Sequence, residues 1–195
     1  MTLKPSISID GVSYPYVIAE PRLAKQCRGW LMIQNELNQT INLISQIEEK
    51  QSPDITQALW HAAIMSYARY FTDAKGRGSR LGKETINLLA KNLKSFHAFV
   101  MQLRNEYVAH AGNNSQEITI TAIVLTPGSI EKKIQGVYYF SIDTIGSGYE
   151  HYVSMKNLCS ELINLVGVKK EKAERNLLEI YQSKCIDDLY ENAIN

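Results

Sequence analysis

The chain has 195 residues, a length that suits one domain of ordinary size. Its composition, 45% hydrophobic and 21% charged, lies near the globular average and excludes a disordered chain or a low-complexity array. The formal net charge of +1 excludes a protein that binds duplex DNA by overall charge attraction, so any nucleic-acid role must be local. The three cysteines, Cys27, Cys159 and Cys185, lie far apart without a Cys-x-x-Cys pair, which favours reduced thiols over a disulfide framework or a zinc site. Because no apolar run is long enough for a membrane span and no apolar signal segment opens the chain, we expect a soluble cytoplasmic protein.

The first seventy residues predict a short hairpin and two helices. Asp10-Gly11 is typical of a type I′ turn, so we expect residues 6–14 to form a short β-hairpin or an extended arm. Apolar residues that recur every three or four positions predict a first helix over 22–50. The Ser-Pro-Asp sequence at 52–54 supplies an N-cap, a proline at the first helical position and an early acid, and predicts a second helix that ends near Phe71.

The remainder predicts two further helices and a strand pair. The clearest periodicity of the chain, over 84–111, predicts a third helix that ends before Gly112. The period then changes to two, and a turn at 126–129 indicates a β-hairpin over 117–143. A fourth helix follows over 149–192, with a bend at Gly167.

Together these elements predict a mainly α protein with a single domain over 1–195. Its expected core is a four-helix bundle built from residues 22–112 and 149–192. The β-hairpin is inserted between the third and fourth helices, and an extended N-terminal arm packs outside the bundle.

The end of the third helix carries a pair of polar residues around an apolar seam. At 100° per residue, Tyr107 falls on the seam, and Arg104 and His110 lie about 60° to either side of it. A histidine at a helix C-terminus is favoured as a cation by the macrodipole, and an arginine nearby can reach along the same surface. A phosphate group could be held there and a proton moved.

In this segment the chain resembles the HEPN superfamily of helical bundles, and within it the abortive-infection type. The resemblance rests on Arg104, the polar Asn105 that follows it, and His110 at the end of the third helix, with five residues between Arg104 and His110. It implies a homodimer whose two protomers together form a site for metal-independent RNA cleavage, with no cofactor. It also implies a toxin–antitoxin or phage-defence setting and an antitoxin or other defence partner. Relatives whose partner is a nucleotidyltransferase place a tyrosine where this chain has Gly112, so control by modification of that tyrosine is not expected.

The groups present suit an endoribonuclease. A base that removes the proton of a ribose 2′-hydroxyl allows its oxygen to attack the adjacent phosphorus, leaving a 2′,3′-cyclic phosphate and a 5′-hydroxyl. We expect His110 to act as general acid or base, Arg104 to neutralise the phosphoryl oxygens, and Asn105 to orient the substrate or the histidine.

Further residues are candidates for substrate binding. Between Arg69 and Lys94 the chain has seven cations against two acids, a cluster suited to an RNA backbone or an acidic partner and equally to a solvated surface. His97, one heptad before Arg104, is expected on the same side of the helix. The candidate substrate-binding residues are Tyr107, Arg77, Arg80, Lys83 and His97.

Two alternatives remain open. The first alternative to an endoribonuclease is a non-catalytic HEPN-like module that binds RNA or protein through the hairpin edge. The second is a structural bundle without a ligand. In the structural alternative, Arg104 pairs with a carboxylate, Asn105 faces water, and His110 caps its own helix.

Overall fold

The structure of the chain is a computed structural model that describes residues 7–47, 52–71, 79–105, 117–125, 134–143 and 148–194. The fold is mainly helical, as predicted, and these ranges hold six α-helices and two antiparallel strand pairs. The elements are β1 (Ile7–Ile9), β2 (Val12–Tyr14), α1 (Lys25–Ile47), α2 (Pro53–Ala68), α3 (Lys83–Ile86), α4 (Lys91–Leu103), β3 (Glu117–Leu125), β4 (Ile134–Asp143), α5 (Tyr149–Gln182) and α6 (Ile186–Glu191). Across the described ranges, no helix combines the length and apolar character needed to cross a bilayer.

The N-terminal segment forms the hairpin that its turn residues predict. Strands β1 and β2 pair antiparallel with Ile9 opposite Val12. Asp10 and Gly11 have φ angles of 52° and 78°. A type I′ turn requires positive φ at both central residues, and aspartate and glycine adopt it at low cost, so this prediction is confirmed.

The second helix begins as predicted. Ser52 is extended and its side chain accepts a hydrogen bond from the Ile55 amide at 3.4 Å, and Pro53 opens the helix. The chain then tightens into a single 3₁₀ turn over Arg69–Phe71. Local capping chemistry therefore fixes the start of α2. An amide hydrogen at the first helical position has no acceptor within the helix, so proline, which has none, is well suited there.

The predicted third helix is interrupted. After α3, the amides of Leu88 and Leu89 bond to carbonyls three residues earlier, and extended Ala90 (ψ 154°) begins α4. Leu89 is nevertheless buried, so the apolar period continues across the turn. A pattern of side-chain burial therefore predicted one helix where the backbone forms two. The predicted C-terminal part of that helix, residues 106–111, lies outside the described residues.

This break corrects the predicted order of elements. Residues 87–90 form a turn, so no hairpin lies between α3 and α4, and the prediction of a hairpin between the third and fourth helices is wrong. The antiparallel pair β3–β4 instead lies between α4 and α5. Its register places Ile123 opposite Val137 and shifts between Val124 and Leu125.

The last predicted helix is also two helices. Residues 149–182 form α5 without an interruption at Gly167, and the break falls at 183–185. There the Ser183 hydroxyl donates to the Ile180 carbonyl, and extended Cys185 (ψ 128°) opens α6. Side-chain competition for a backbone carbonyl at the helix end accounts for the break better than glycine flexibility does.

The structure groups the chain into two compact units. The first contains Met1–Asn35, Asp73–Arg80 and Asn164–Asn195. Within it, the backbones of Tyr16 and Ile194 exchange two hydrogen bonds of 3.0 and 2.8 Å. The Lys169 ammonium also lies 5.1 Å from the centre of the Trp30 ring.

The second unit contains Glu36–Thr72 and Leu81–Ile163. Its core is aliphatic and aromatic, and the Trp60 and Tyr152 rings meet edge to face at 5.6 Å. Fully buried residues of this unit include Ile44, Ile64, Tyr67, Val100, Met155 and Leu162. The prediction of one domain over 1–195 stays a prediction.

Candidate functional site

One side of α4 carries a row of half-buried, mostly polar side chains. Lys94, His97, Met101 and Arg104 follow one another at spacings of three, four and three residues. At 100° per residue they lie within about 80° of one another around the helix. Arg104 directly follows the last residue of α4 and keeps helical dihedrals, with φ of −58° and ψ of −46°. We call these four residues the α4 ridge.

The α4 ridge carries positive charge that no acid of the described residues pairs with. Helix α4 contains Lys91 and Lys94 and has no aspartate or glutamate. Within the described residues, neither Lys94 nor Arg104 forms an ion pair with a carboxylate. The structural alternative, in which Arg104 is held by a helix carboxylate, is therefore not seen in this part of the chain.

Arg104 bonds instead to its neighbour. Its guanidinium donates to the Asn105 side-chain oxygen at 2.9 Å, and Asn105 is exposed. The amide oxygen is a neutral acceptor, and this bond uses one of the five N–H groups of a guanidinium. The guanidinium of Arg104 therefore keeps N–H donors for an anionic ligand.

His97 is anchored from behind by α2. The Tyr67 hydroxyl lies 2.6 Å from His97 Nδ1, and the Tyr67 residue is 1% exposed. The Phe71 ring packs on the same imidazole at 4.6 Å between centroids. Since Tyr67 also contacts Phe71 at 5.0 Å, the three rings hold one another in place.

Which of the two groups donates in the bond between Tyr67 and His97 follows from the hydrogen-bond partners that each group has. If His97 Nδ1 donated to Tyr67, the buried hydroxyl hydrogen would need another acceptor, and Tyr67 forms no second hydrogen bond within the described part of the chain. Tyr67 therefore donates to Nδ1, and the remaining proton of a neutral imidazole lies on Nε2. Burial lowers the pKa of His97 and raises that of Tyr67 well above its usual 10.0, so both groups are neutral near pH 7.

A second group of polar contacts joins α1 to α2 and to the turn that follows it. Glu36 of α1 accepts a hydrogen bond from the Ser66 hydroxyl at 2.8 Å and pairs with the Arg69 guanidinium. Arg69 is one of the cations of the predicted basic segment, and here it is paired with an acid. The charge of Arg69 is therefore partly neutralised.

The predicted site residues divide into those the structure describes and those it does not. His110, Tyr107 and Arg77 lie outside the described residues. Arg80 and Lys83 are exposed, and in the described part of the chain no hydrogen bond or ion pair joins Lys83 to the α4 ridge. The predicted residues found together are Arg104 and Asn105, which are hydrogen bonded, and His97, which precedes them on the same helix.

Sequence analysis missed Tyr67 and Phe71 as partners of His97. Aromatic residues four apart on a helix are typical of core packing, and Tyr67 is buried. The bond to His97 spans thirty residues and depends on how α2 packs against α4. A helical wheel of either segment does not contain that information.

In the described ranges no three side chains of His, Cys, Asp or Glu are grouped so that they could hold a metal ion. Comparison of the chain with protein families, with curated proteins and with solved structures found no match. The candidate site therefore rests on its own geometry and charge.

Proposed function

We propose that this chain is an HEPN-like helical-bundle protein that binds RNA along α4 and cleaves it without a metal ion. The observation that supports this most is the α4 ridge, where Lys94 and Arg104 form no ion pair with any carboxylate in the described ranges and α4 itself has no acid. Phosphates bind such a surface through charge-assisted hydrogen bonds. The Arg104 guanidinium also donates to the Asn105 side-chain oxygen, and both residues are among the three predicted to be catalytic.

The chemistry assigned to these groups is transesterification. The 2′-hydroxyl loses its proton to a base, its oxygen forms a bond to phosphorus, and the bond from phosphorus to the 5′-oxygen breaks as that oxygen gains a proton. Arg104 stabilises the negative phosphoryl oxygens through its fork of N–H donors. His110, as the proton-transferring group, stays a prediction from the sequence.

The proposal includes a homodimer. One copy of Arg104 and one of His110 lie on either side of an apolar seam on the helical wheel, and a second copy facing that seam brings four polar groups together. The cellular setting we propose is toxin–antitoxin function or phage defence with a partner protein. Light scattering at micromolar concentration tests the dimer, and a strictly monomeric protein argues against a shared site.

The decisive experiment is cleavage of labelled single-stranded RNA in the presence of EDTA, followed by identification of the product ends. We expect a 2′,3′-cyclic phosphate from the natural chain and a large loss of rate in Arg104→Ala and His110→Ala. Arg175→Ala, which removes an exposed cation from α5, is the matched control and should leave the rate unchanged. Equal cleavage by all four proteins would refute the assignment.

A second candidate is a non-catalytic module that binds RNA or protein through the β3–β4 pair. The observation in its favour is that Ile123, Leu125 and Ile134, near one end of that pair, are 57%, 65% and 71% exposed. In a two-stranded sheet each strand has one outer edge that its partner does not occupy. Exposed apolar side chains beside such an edge suit strand addition by a partner. RNA binding without cyclic-phosphate product supports this module, provided that Leu125→Lys weakens binding.

A further inference from the structure

The half-buried His97 presents a defined edge to solvent. Nδ1 is directed inward at the buried Tyr67 hydroxyl, 2.6 Å away. Nε2 is the other ring nitrogen, and it is not among the buried, unpartnered side-chain nitrogens of the described residues, so the Nε2 edge of the half-buried His97 reaches solvent. Because Tyr67 donates to Nδ1, that edge carries an N–H group. The side chain is therefore a neutral, single hydrogen-bond donor with a fixed direction.

Two other residues of the α4 ridge are cations. Lys94 lies one turn before His97, and Arg104 lies two turns after it, about 10.5 Å along the helix axis. Charged donors are the stronger partners of phosphate oxygens, so an RNA backbone on the α4 ridge is held by Lys94 and Arg104. Phosphate contacts position a strand, and contacts to base edges distinguish one sequence from another.

We infer that His97 contacts an RNA base, donating its Nε2–H to a carbonyl oxygen on the base edge, and that Tyr67 is a positioning residue that fixes this donor. The inference rests on the RNA binding proposed above. It assigns the cations to the backbone and the neutral donor to the base. Packing of Phe71 on the imidazole holds the donor rigid before RNA arrives, which reduces the entropy lost on binding.

Two substitutions of His97 separate the two ring nitrogens. In His97→Gln the side-chain amide reaches the position of Nε2, so the donor is kept and the acceptor for Tyr67 is lost. In His97→Asn the amide reaches only the position of Nδ1, so the acceptor is kept and the donor is lost. A purely structural role predicts that Asn is tolerated better than Gln. A base-contacting role predicts the opposite order for RNA affinity.

The experiment measures binding of a short 2′-O-methyl oligouridylate, which cannot be cleaved by 2′-hydroxyl attack, by fluorescence anisotropy. A second strand of the same length has abasic positions and keeps the phosphates. We expect His97→Asn to weaken binding of the oligouridylate by about 2- to 12-fold, the effect of one neutral hydrogen bond. His97→Gln should stay within about twofold of the natural chain, and both variants should bind the abasic strand as the natural chain does.

Each other outcome overturns a specific part. If His97→Asn weakens binding of both strands equally, or of neither, His97 does not contact a base. If ¹⁵N NMR of the free protein places the His97 proton on Nδ1, the role of Tyr67 is wrong. If the natural chain binds neither strand, the proposed function fails and the base contact fails with it. Binding of both strands that is lost in Arg104→Ala retains the proposed function whatever His97 does.

Discussion

The substitution Tyr67→Phe tests the hydrogen bond on which the candidate site is built. It removes one oxygen from a residue that is 1% exposed. The aromatic ring stays in contact with Phe71 and His97. The volume change is small, so the loss of stability comes from the 2.6 Å bond and from the Nδ1 acceptor that it leaves without its partner. The prediction therefore concerns one proton and its direction.

The expected cost follows from those two terms. A net intramolecular hydrogen bond contributes about 0.5–1.5 kcal/mol, and a buried polar group left unpaired costs about 1–3 kcal/mol. Because His97 is half-buried and its Nδ1 can recover some hydration, we expect a total of about 2 kcal/mol. For a chain of this size that lowers Tm by about 4–8 °C in calorimetry.

The pH dependence decides the direction of the proton. Burial lowers the pKa of His97 in the folded chain from its usual 6.5, so stability from the neutral imidazole is present above pH 6.5 and is lost as pH falls through the folded pKa. The cost of Tyr67→Phe should therefore be largest at pH 7–8 and smaller at pH 5. The control Tyr149→Phe, on a ring that is 70% exposed, should change stability by less than about 0.5 kcal/mol. A cost that is the same at every pH would refute donation from Tyr67 to Nδ1.

Three further outcomes are expected. Burial lowers the pKa of both His97 and His61, so the free energy of unfolding of the natural chain should fall as pH drops below about 6.5, and denaturant titrations at pH 7.5 and pH 5 test the sign. Trp60→Ala should lower the unfolding free energy by about 3–5 kcal/mol, because the ring is 1% exposed, and a loss below about 1 kcal/mol in chemical denaturation would contradict its place in the core. Backbone amides of Asp188 and Asp187 lower the pKa of Cys185, which is exposed, whereas burial raises that of Cys159, so mass spectrometry should find alkylation at Cys185 first and at Cys159 only after unfolding.

Local signals in the sequence predicted the elements that local chemistry decides. Asp10-Gly11 predicted a hairpin because two consecutive positive φ angles are needed there, and the backbone has them. The Ser-Pro-Asp sequence predicted the start of α2 because a side-chain oxygen and a missing amide suit a helix N-terminus. Neither feature depends on distant residues.

Apolar periodicity proved less informative about continuity. It predicted one helix over 84–111, and the chain turns at 87–90 between α3 and α4. Leu89 is buried within the turn, and the amides of Leu88 and Leu89 bond to carbonyls three residues earlier. The pattern of apolar residues is therefore the same as it would be in a continuous helix. The same misjudgement placed the hairpin between the third and fourth helices.

The candidate site could be predicted only in part. The heptad spacing accounts for His97 and Arg104 lying on one side of α4, since that spacing is a property of one helix. The proton that Tyr67 gives to His97 could not be predicted, because it depends on packing between helices thirty residues apart in the chain. The sequence predicted which residues would bind RNA, and the structure adds which imidazole nitrogen of His97 is bonded to Tyr67 and which is not.

The pair of hydrogen bonds between Tyr16 and Ile194 couples two segments that are far apart in the sequence. Each backbone amide donates to the other residue's carbonyl. Neither segment can therefore detach while the amide of the other stays protected from exchange. Amide hydrogen exchange at these two positions should therefore report one shared opening event, with equal rates and equal sensitivity to temperature. Local opening of these two distant segments becomes a single cooperative equilibrium here.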